Sequence, residues 1–267
     1  MSRFYRATIR ERRAFGKLIW LELEAPELAA HLRPGQALLV RPADMQSADP
    51  LLRATIFHAG SNAKQGTITF LLSDGEEFQQ AWLLQYAYPS STLDIYGPVG
   101  RGFELDPRTG NLLLVGEGPG LAALVALTQQ AVARRISVVL LAVASHSDYQ
   151  IPAFLLPPDV EYQFTTGPLS ELLEPLAGSK KQPLFSSNAP IVWADQACVS
   201  LDPLSLQDFV QQLRAQRLRW TPGFAFALIA EQLACGSGAC FGCMLETRNG
   251  WQLRCKDGPI FDLKRLA

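Results

Sequence analysis

Between Glu231 and Asp262 the chain carries four of its five cysteines, Cys235, Cys240, Cys243 and Cys255, spaced C-x4-C-x2-C-x11-C. Three closely set thiols followed by a distant fourth is the plant-type spacing for a [2Fe–2S] cluster. The residues between them suit a loop wrapped around a compact inorganic core. Gly236, Gly238 and Gly242 let backbone N–H groups approach the sulfides, and Ala239 adds little bulk. Such N–H bonds stabilise an added electron and tune the potential. A structural zinc site and a disulfide pair are the competing readings. Zinc usually takes paired C-x2-C knuckles, and this segment has one. Cys198, outside the pattern, reads as a small buried hydrophobe.

Two further stretches could bind an anion. In "VGEGPGLAAL", Gly116, Gly118 and Gly120 follow an apolar run and open a helical pattern, which can set a helix N-terminus against a pyrophosphate. The pattern is G-x-G-x-G, Pro119 removes one donor, and a plain strand-to-helix turn is the alternative. Arg53, in "PLLRATIF", is a charge in an apolar strand. It either sits exposed on a sheet edge or is aimed at an anion such as a flavin pyrophosphate. The glycines of "GPVGRGFEL", Gly97 among them, read as turn residues, and His31, His58 and His146 fall into no metal or triad arrangement.

The elements that must position these residues divide the chain in three. Over residues 1–106 short β-rich runs recur: two split by a turn at Gly16, then "GQALLVRP", "LRATIFHAG", "GTITFLLS" and "STLDIYGPVG". They predict an antiparallel β-barrel, interrupted by a helix at "EEFQQAWLLQYA". Residues 107–222 alternate strands ("NLLLVG", "ISVVLLAVAS", "VEYQFTT", "APIVWAD") with helices, the texture of an α/β nucleotide-binding domain. The polar stretch "EPLAGSKKQPLFSSNAP" predicts a surface loop, and residues 223–267 form a small cysteine-bearing module. A net charge of −1 without long basic runs argues against a nucleic-acid partner. No apolar run is long enough to span a membrane, and "MSRFYRATIRERRAFGK" lacks a secretion signal's apolar core. A cytoplasmic protein is expected, where clustered thiols more often bind metal than form disulfides.

The segments "LACGSGACFGC" and "CKDGPIFD", with "GPVGRGF" and "LLVGEGPGLAAL", resemble a known family over nearly the whole chain. It is the electron-transfer subunit family of the two-component, NAD-dependent dihydroorotate dehydrogenases, within the ferredoxin–NADP reductase superfamily. The resemblance implies a barrel that binds FAD through Arg53, Ala54, Thr55, Ile56 and Gly97. It implies an α/β domain that takes NAD(H) at Gly116, Gly118 and Gly120, and a [2Fe–2S] cluster on the four cysteines. Electrons would pass among these and a flavin-containing catalytic subunit in a hetero-oligomer. Partners of transhydrogenase, hydrogenase or sulfite reductase type are the alternative, as is a scaffold that keeps the cluster alone. The chain has its own departures. Arg53-Ala54-Thr55-Ile56 stands for Arg-Pro-[Ile/Leu]-Ser, Leu71-Leu72 for a Tyr-Arg pair, and Glu77-Phe78 for a Gly-Thr expected at the flavin diphosphate. Ala123 replaces a proline, and "VWADQACVS" lacks a Cys-Gly-Pro. These changes fall on the flavin and nicotinamide sites and spare the cysteines.

Overall fold

A computed structural model describes residues 2–43, 49–75, 78–173, 189–217 and 219–266. Glu77 and nearly all of the polar loop expected before Pro190 lie outside them. In the first third, strands β1 (Arg3–Phe15), β2 (Leu18–Glu24), β3 (Ala37–Pro42), β4 (Ala54–Asn62), β5 (Thr67–Ser73) and β6 (Thr92–Val99) close into a barrel ordered β1-β2-β5-β4-β3-β6. Two short helices, α1 (Pro26–Ala29) and α2 (Phe78–Leu84), accompany them. Period-2 patterning explains the closure. Ile9, Leu21, Leu23, Leu38, Ile56 and Phe70 point into one shared core, and their sequence neighbours face outward. On β4 this alternation sends Ala54 and Ile56 inward, and sets Thr55 and Phe57 on the face toward the rest of the molecule.

The second region is a sheet ordered β14-β11-β10-β7-β8-β9. Its strands are β7 (Asn111–Gly116), β8 (Ser137–Val143), β9 (Val160–Thr165), β10 (Gln196–Ser200), β11 (Ala225–Leu228) and β14 (Ile260–Asp262). All pairs are parallel except β14, which runs antiparallel to β11. Helices α3 (Leu121–Ala133), α4 (Ser170–Leu173), α5 (Pro190–Trp193), α6 (Pro203–Gln216) and α7 (Leu263–Leu266) complete the region. Every residue of α3 from Leu121 to Thr128 is buried, because the helix lies between the sheet and barrel strand β4. The cysteine segment leaves the sheet after Leu228, forms the hairpin β12 (Met244–Thr247) and β13 (Gly250–Leu253), and returns as β14.

One predicted strand moves. "APIVWAD" carries α5, and the strand follows at Gln196–Ser200. Pro190 suits a first helical turn and cannot donate in a central strand. The Asp195 carboxylate then accepts the N–H groups of Gly110 and Asn111 at 3.0 and 2.9 Å, fixing where β10 enters the sheet.

Candidate metal centre and adjoining cleft

The loop between β11 and β12 is held open by backbone conformation. Gly236 (φ +66°) and Gly238 (φ +83°) occupy the left-handed region, and a Cβ on Gly236 would press on Leu39, Val99 and Tyr96 of the barrel. Phe241 (φ +56°) takes the same conformation with an exposed ring. The thiols fall into two pairs. Cys243 and Cys255 are buried with their sulfurs 3.3 Å apart. Cys235, half-buried, accepts from the Ser237 N–H at 3.5 Å and lies within hydrogen-bonding reach of Cys240. The exposed Cys240 sulfur accepts from the Gly242 N–H at 3.4 Å. Among the described residues no three His, Cys, Asp or Glu side chains converge as the ligands of one metal ion would. A two-iron core takes one thiol pair at each end. All five cysteines are free. Donor set, paired spacing and N–H groups aimed at sulfur therefore fit a [2Fe–2S] cluster. Burial works to raise the pKa of Cys235, but hydrogen bonds from Cys240 and Ser237 outweigh it and hold the thiol below its usual range. Cys255 is pushed up by burial and by the neighbouring Cys243.

Two seams bind this loop to the barrel. In the first, Gln232 Oε1 accepts the Thr55 N–H at 3.1 Å, its Nε2 donates to the Arg53 carbonyl at 2.5 Å, and the Leu233 N–H donates to Thr55 Oγ1 at 2.9 Å. This is possible because β4 pairs with β5 only from His58 onward, which leaves the Arg53–Thr55 edge open. In the second seam the turn after β6 meets the turn before β14: the Arg101 N–H donates to the Gly258 carbonyl at 2.6 Å, and Gly100 lies against Pro259. The two motifs "GPVGRGF" and "CKDGPIF" are thus halves of one contact.

Of the residues expected at a flavin, Ala54 and Ile56 turn into the barrel core and can offer only backbone. Gly97 lies in the barrel wall, where a Cβ would collide with Leu38. Arg53 donates to the Asp94 carboxylate and carbonyl, both at 2.9 Å, with its guanidinium over Phe4. Asp94 is in cross-strand register with Arg6 on β1 and Arg41 on β3. The ion pair with Asp94 is therefore formed by Arg53, while register places the backbones of Arg6 and Arg41 on the two flanking strands, and a guanidinium in this position suits a diphosphate. Sequence reading missed Arg6 and Arg41, since only strand register sets them opposite Asp94. Phe78 is exposed at the start of α2.

Beside the metal centre a cleft of about 900 Å³ opens at the C-terminal ends of β7, β8 and β10. It includes Gly118, Glu117, Asp202, Glu231, Gln232 and Glu246. The position at a parallel sheet's carboxyl edge suits a nucleotide. The three glycines divide their duties. Gly116 makes room for Leu121 and Leu124 of α3, and Gly120 for Ser200 of β10. Gly118 (φ +59°) has nothing within 4 Å of a built Cβ and opens on the cleft. Glu117 accepts the Asp202 N–H at 2.5 Å, and Asp202 caps α6 by accepting from Leu204 and Ser205. Burial raises the Glu117 pKa, with the Asp202 charge adding to it. For Asp202 burial is outweighed by the Ser205 and Leu204 N–H groups, which hold it low. Cys198, on β10 beneath the cleft floor, is fully buried and its thiol pKa is raised by desolvation alone.

Residues 230–267 match the family defined as the iron–sulfur cluster binding domain of dihydroorotate dehydrogenase B. Along most of its length the chain also aligns with "dihydroorotate dehydrogenase B (NAD(+)), electron transfer subunit" from two bacteria. Identity is 28% with that of Geobacillus thermodenitrificans (strain NG80-2), covering 90% of this chain and 89% of the relative. With that of Shouchella clausii (strain KSM-K16) it is 29%, at the same coverages. The chain is a relative of the dihydroorotate dehydrogenase B electron transfer subunits. Solved structures agree on the fold. The NADH-dependent reduced ferredoxin-NADP oxidoreductase studied for flavin-based electron bifurcation superposes with a TM-score of 0.75 at 17% identity, covering 98% of this chain and 89% of that one. The ferredoxin reductase of carbazole 1,9a-dioxygenase gives 0.61 at 18%, covering 81% and 66%. The barrel, the α/β sheet and the appended cysteine segment are thus a ferredoxin-reductase architecture carrying the cysteine domain of the dihydroorotate dehydrogenase B relatives.

Proposed function

We propose that the chain is the electron-transfer subunit of an NAD-dependent dihydroorotate dehydrogenase, passing electrons among NAD(H), FAD, a [2Fe–2S] cluster and a flavin-containing catalytic subunit. The observation that carries the reading is the paired-thiol loop hydrogen-bonded to the barrel strand that bears Arg53. Cys235 and Cys240 would hold one iron, Cys243 and Cys255 the other. FAD, when bound, converts a two-electron hydride into single electrons that a cluster can relay. Arg53 would hold the diphosphate, and Gly118 would let a dinucleotide approach β7. The chain supplies no acid or base to dihydroorotate. Its task is to fix the cofactors on one rigid frame, which the two seams do. Around the exposed Cys240, Phe241, Met244 and Trp251 are also exposed, giving the loop an apolar rim for the catalytic subunit. No helix among the described residues is long and apolar enough to cross a membrane. A cytoplasmic setting, where thiols stay reduced, completes the proposal.

The test is co-expression with a dihydroorotate dehydrogenase catalytic subunit, followed by quantification of iron, sulfide and flavin per chain. The expected result is a complex in which dihydroorotate reduces NAD⁺ only when both subunits are present. A chain that carries iron and sulfide without flavin, and does not support that reaction, would reject the proposal.

The acidic cleft makes a further prediction. Glu117 disfavours the anionic dinucleotide, so Glu117→Gln is expected to lower the KM for NADH about fivefold. In the wild type, KM should fall as the pH drops through the raised Glu117 pKa, because protonation removes the charge. The variant should lose that dependence, and steady-state kinetics across pH would show it.

A further inference from the structure

Arg254 is a buried cation at the neck of the cysteine loop. Its side chain is 8% exposed, and Nη1 lies 2.7 Å from the Glu231 carboxylate, outside good hydrogen-bond geometry. Its backbone ties the inner thiol pair together: it directly precedes Cys255, and its N–H donates to the Cys243 carbonyl at 3.0 Å. Glu231 stands four residues before Cys235, on the segment that leads from β11 into the loop, and its side chain is 63% exposed. The ion pair therefore bridges the two stems of the loop, one partner buried and the other in solvent. Water screens the carboxylate far more than the guanidinium, so the pair is electrically lopsided and leaves net positive potential inside the neck.

Nothing else in the site uses this cation. It does not line the cleft, and Lys256, the nearest basic residue in sequence, is exposed. A buried charge held by one exposed partner is costly. Four thiolates and two sulfides outweigh two ferric ions, so a [2Fe–2S] cluster is anionic when oxidised and more so after one electron arrives. A fixed cation in low dielectric favours the more negative state.

We propose that Arg254 sets the reduction potential of the cluster, and that Glu231 offsets part of its charge. This deepens the electron-transfer reading and rests on the four cysteines holding a [2Fe–2S] cluster. Reduction adds one electron, supplied in the test by dithionite through redox dyes, and makes or breaks no bond in the protein.

The test is a dye-mediated redox titration of the full chain with its cluster assembled, followed by visible absorption and by the paramagnetic signal of the reduced state. Arg254→Gln is expected to lower the reduction equilibrium constant about tenfold, a shift of about 59 mV to more negative potential for one electron. Arg254→Lys should stay within about threefold of wild type, since the charge is kept. Glu231→Gln should move the potential the opposite way, to more positive values. A purely structural pair predicts a different pattern, with both neutralising variants losing stability and neither moving the potential. Unchanged potential in Arg254→Gln at full iron occupancy, or shifts of the same sign in the two neutralising variants, would overturn the proposal. If Arg254→Gln does not assemble a cluster, Glu231→Gln decides, and an unchanged or more negative potential there overturns it. A wild-type chain with no iron–sulfur absorption would instead remove the cluster reading and the inference with it.

Discussion

Cys243→Ser is expected to abolish cluster assembly, with iron and sulfide below about a tenth of wild type, because a neutral hydroxyl does not replace a thiolate ligand. The effect is large because Cys243 is buried against Cys255, leaving no route for water or a neighbouring side chain to complete the iron's ligand set. Its carbonyl also accepts the Arg254 N–H, so the loop's inner stem should loosen with the metal gone. Transfer to the catalytic subunit should disappear. NADH oxidation by a dye that takes electrons from flavin should survive, because Arg53 lies on the barrel and Glu117 and Gly118 follow β7, outside the cysteine loop. Cys198→Ser is the control. That thiol is fully buried in β10, so the change costs about 1–3 kcal/mol of stability and leaves iron content intact. Full iron in Cys243→Ser, or a colourless protein that binds zinc, would refute the ligand assignment.

What the sequence made legible, and what it hid, follows from the range of the interactions. The barrel could be read because each strand carries its own inward set of apolar residues, as Leu21 and Leu23 or Ala54 and Ile56 do. The cysteine loop was legible because cluster ligands come at local spacings. Asn249-Gly250, a strong hairpin signal, would have revealed β12 and β13, whose register runs from Met244–Leu253 to Thr247–Gly250. The seams were out of reach. Gln232 gives no sign of its bond to Thr55 across 177 positions, and Gly258 none of its bond to Arg101. The shift of β10 from "APIVWAD" to Gln196–Ser200 has the same origin, since Asp195 is fixed by Gly110 and Asn111.

Those seams alter the meaning of the departures at the flavin strand. Ile56, at the position where the family has serine, is a core residue, so its side chain faces the barrel interior and not a ligand. Thr55 does carry a hydroxyl on the outward face, and it receives the Leu233 N–H two residues before Cys235. Strand β4 is thereby committed to positioning the cysteine loop. A flavin on this strand and a cluster in that loop share one hydrogen-bonded frame, and their separation is set by Gln232 and Thr55 with no flexible linker between them.

The same barrel wall yields the second large prediction: Arg53→Gln should weaken FAD binding about thirtyfold, and Asp94→Asn should strengthen it. In the structure Arg53 is engaged by Asp94, with side-chain exposures of 21% and 30%. An ion pair at that depth contributes about 0–1 kcal/mol, whereas a charge-assisted bond to phosphate contributes about 1.5–3 kcal/mol. A diphosphate therefore wins the exchange. The released carboxylate is not stranded either, since its side chain is 30% exposed and water can solvate it. Removing Arg53 forfeits the phosphate bond, and at 1.4 kcal/mol per tenfold its loss gives the stated weakening. Asp94→Asn keeps the backbone carbonyl that accepts from Arg53 and deletes the competing charge, so FAD should bind about three to ten times more tightly. Quenching of FAD fluorescence measures both, with cluster absorbance reporting that the frame is intact. If Arg53 served only to hold the barrel together, both variants would weaken FAD and lose stability in step. Opposite signs at constant cluster content are what a phosphate-binding arginine held in reserve by Asp94 requires.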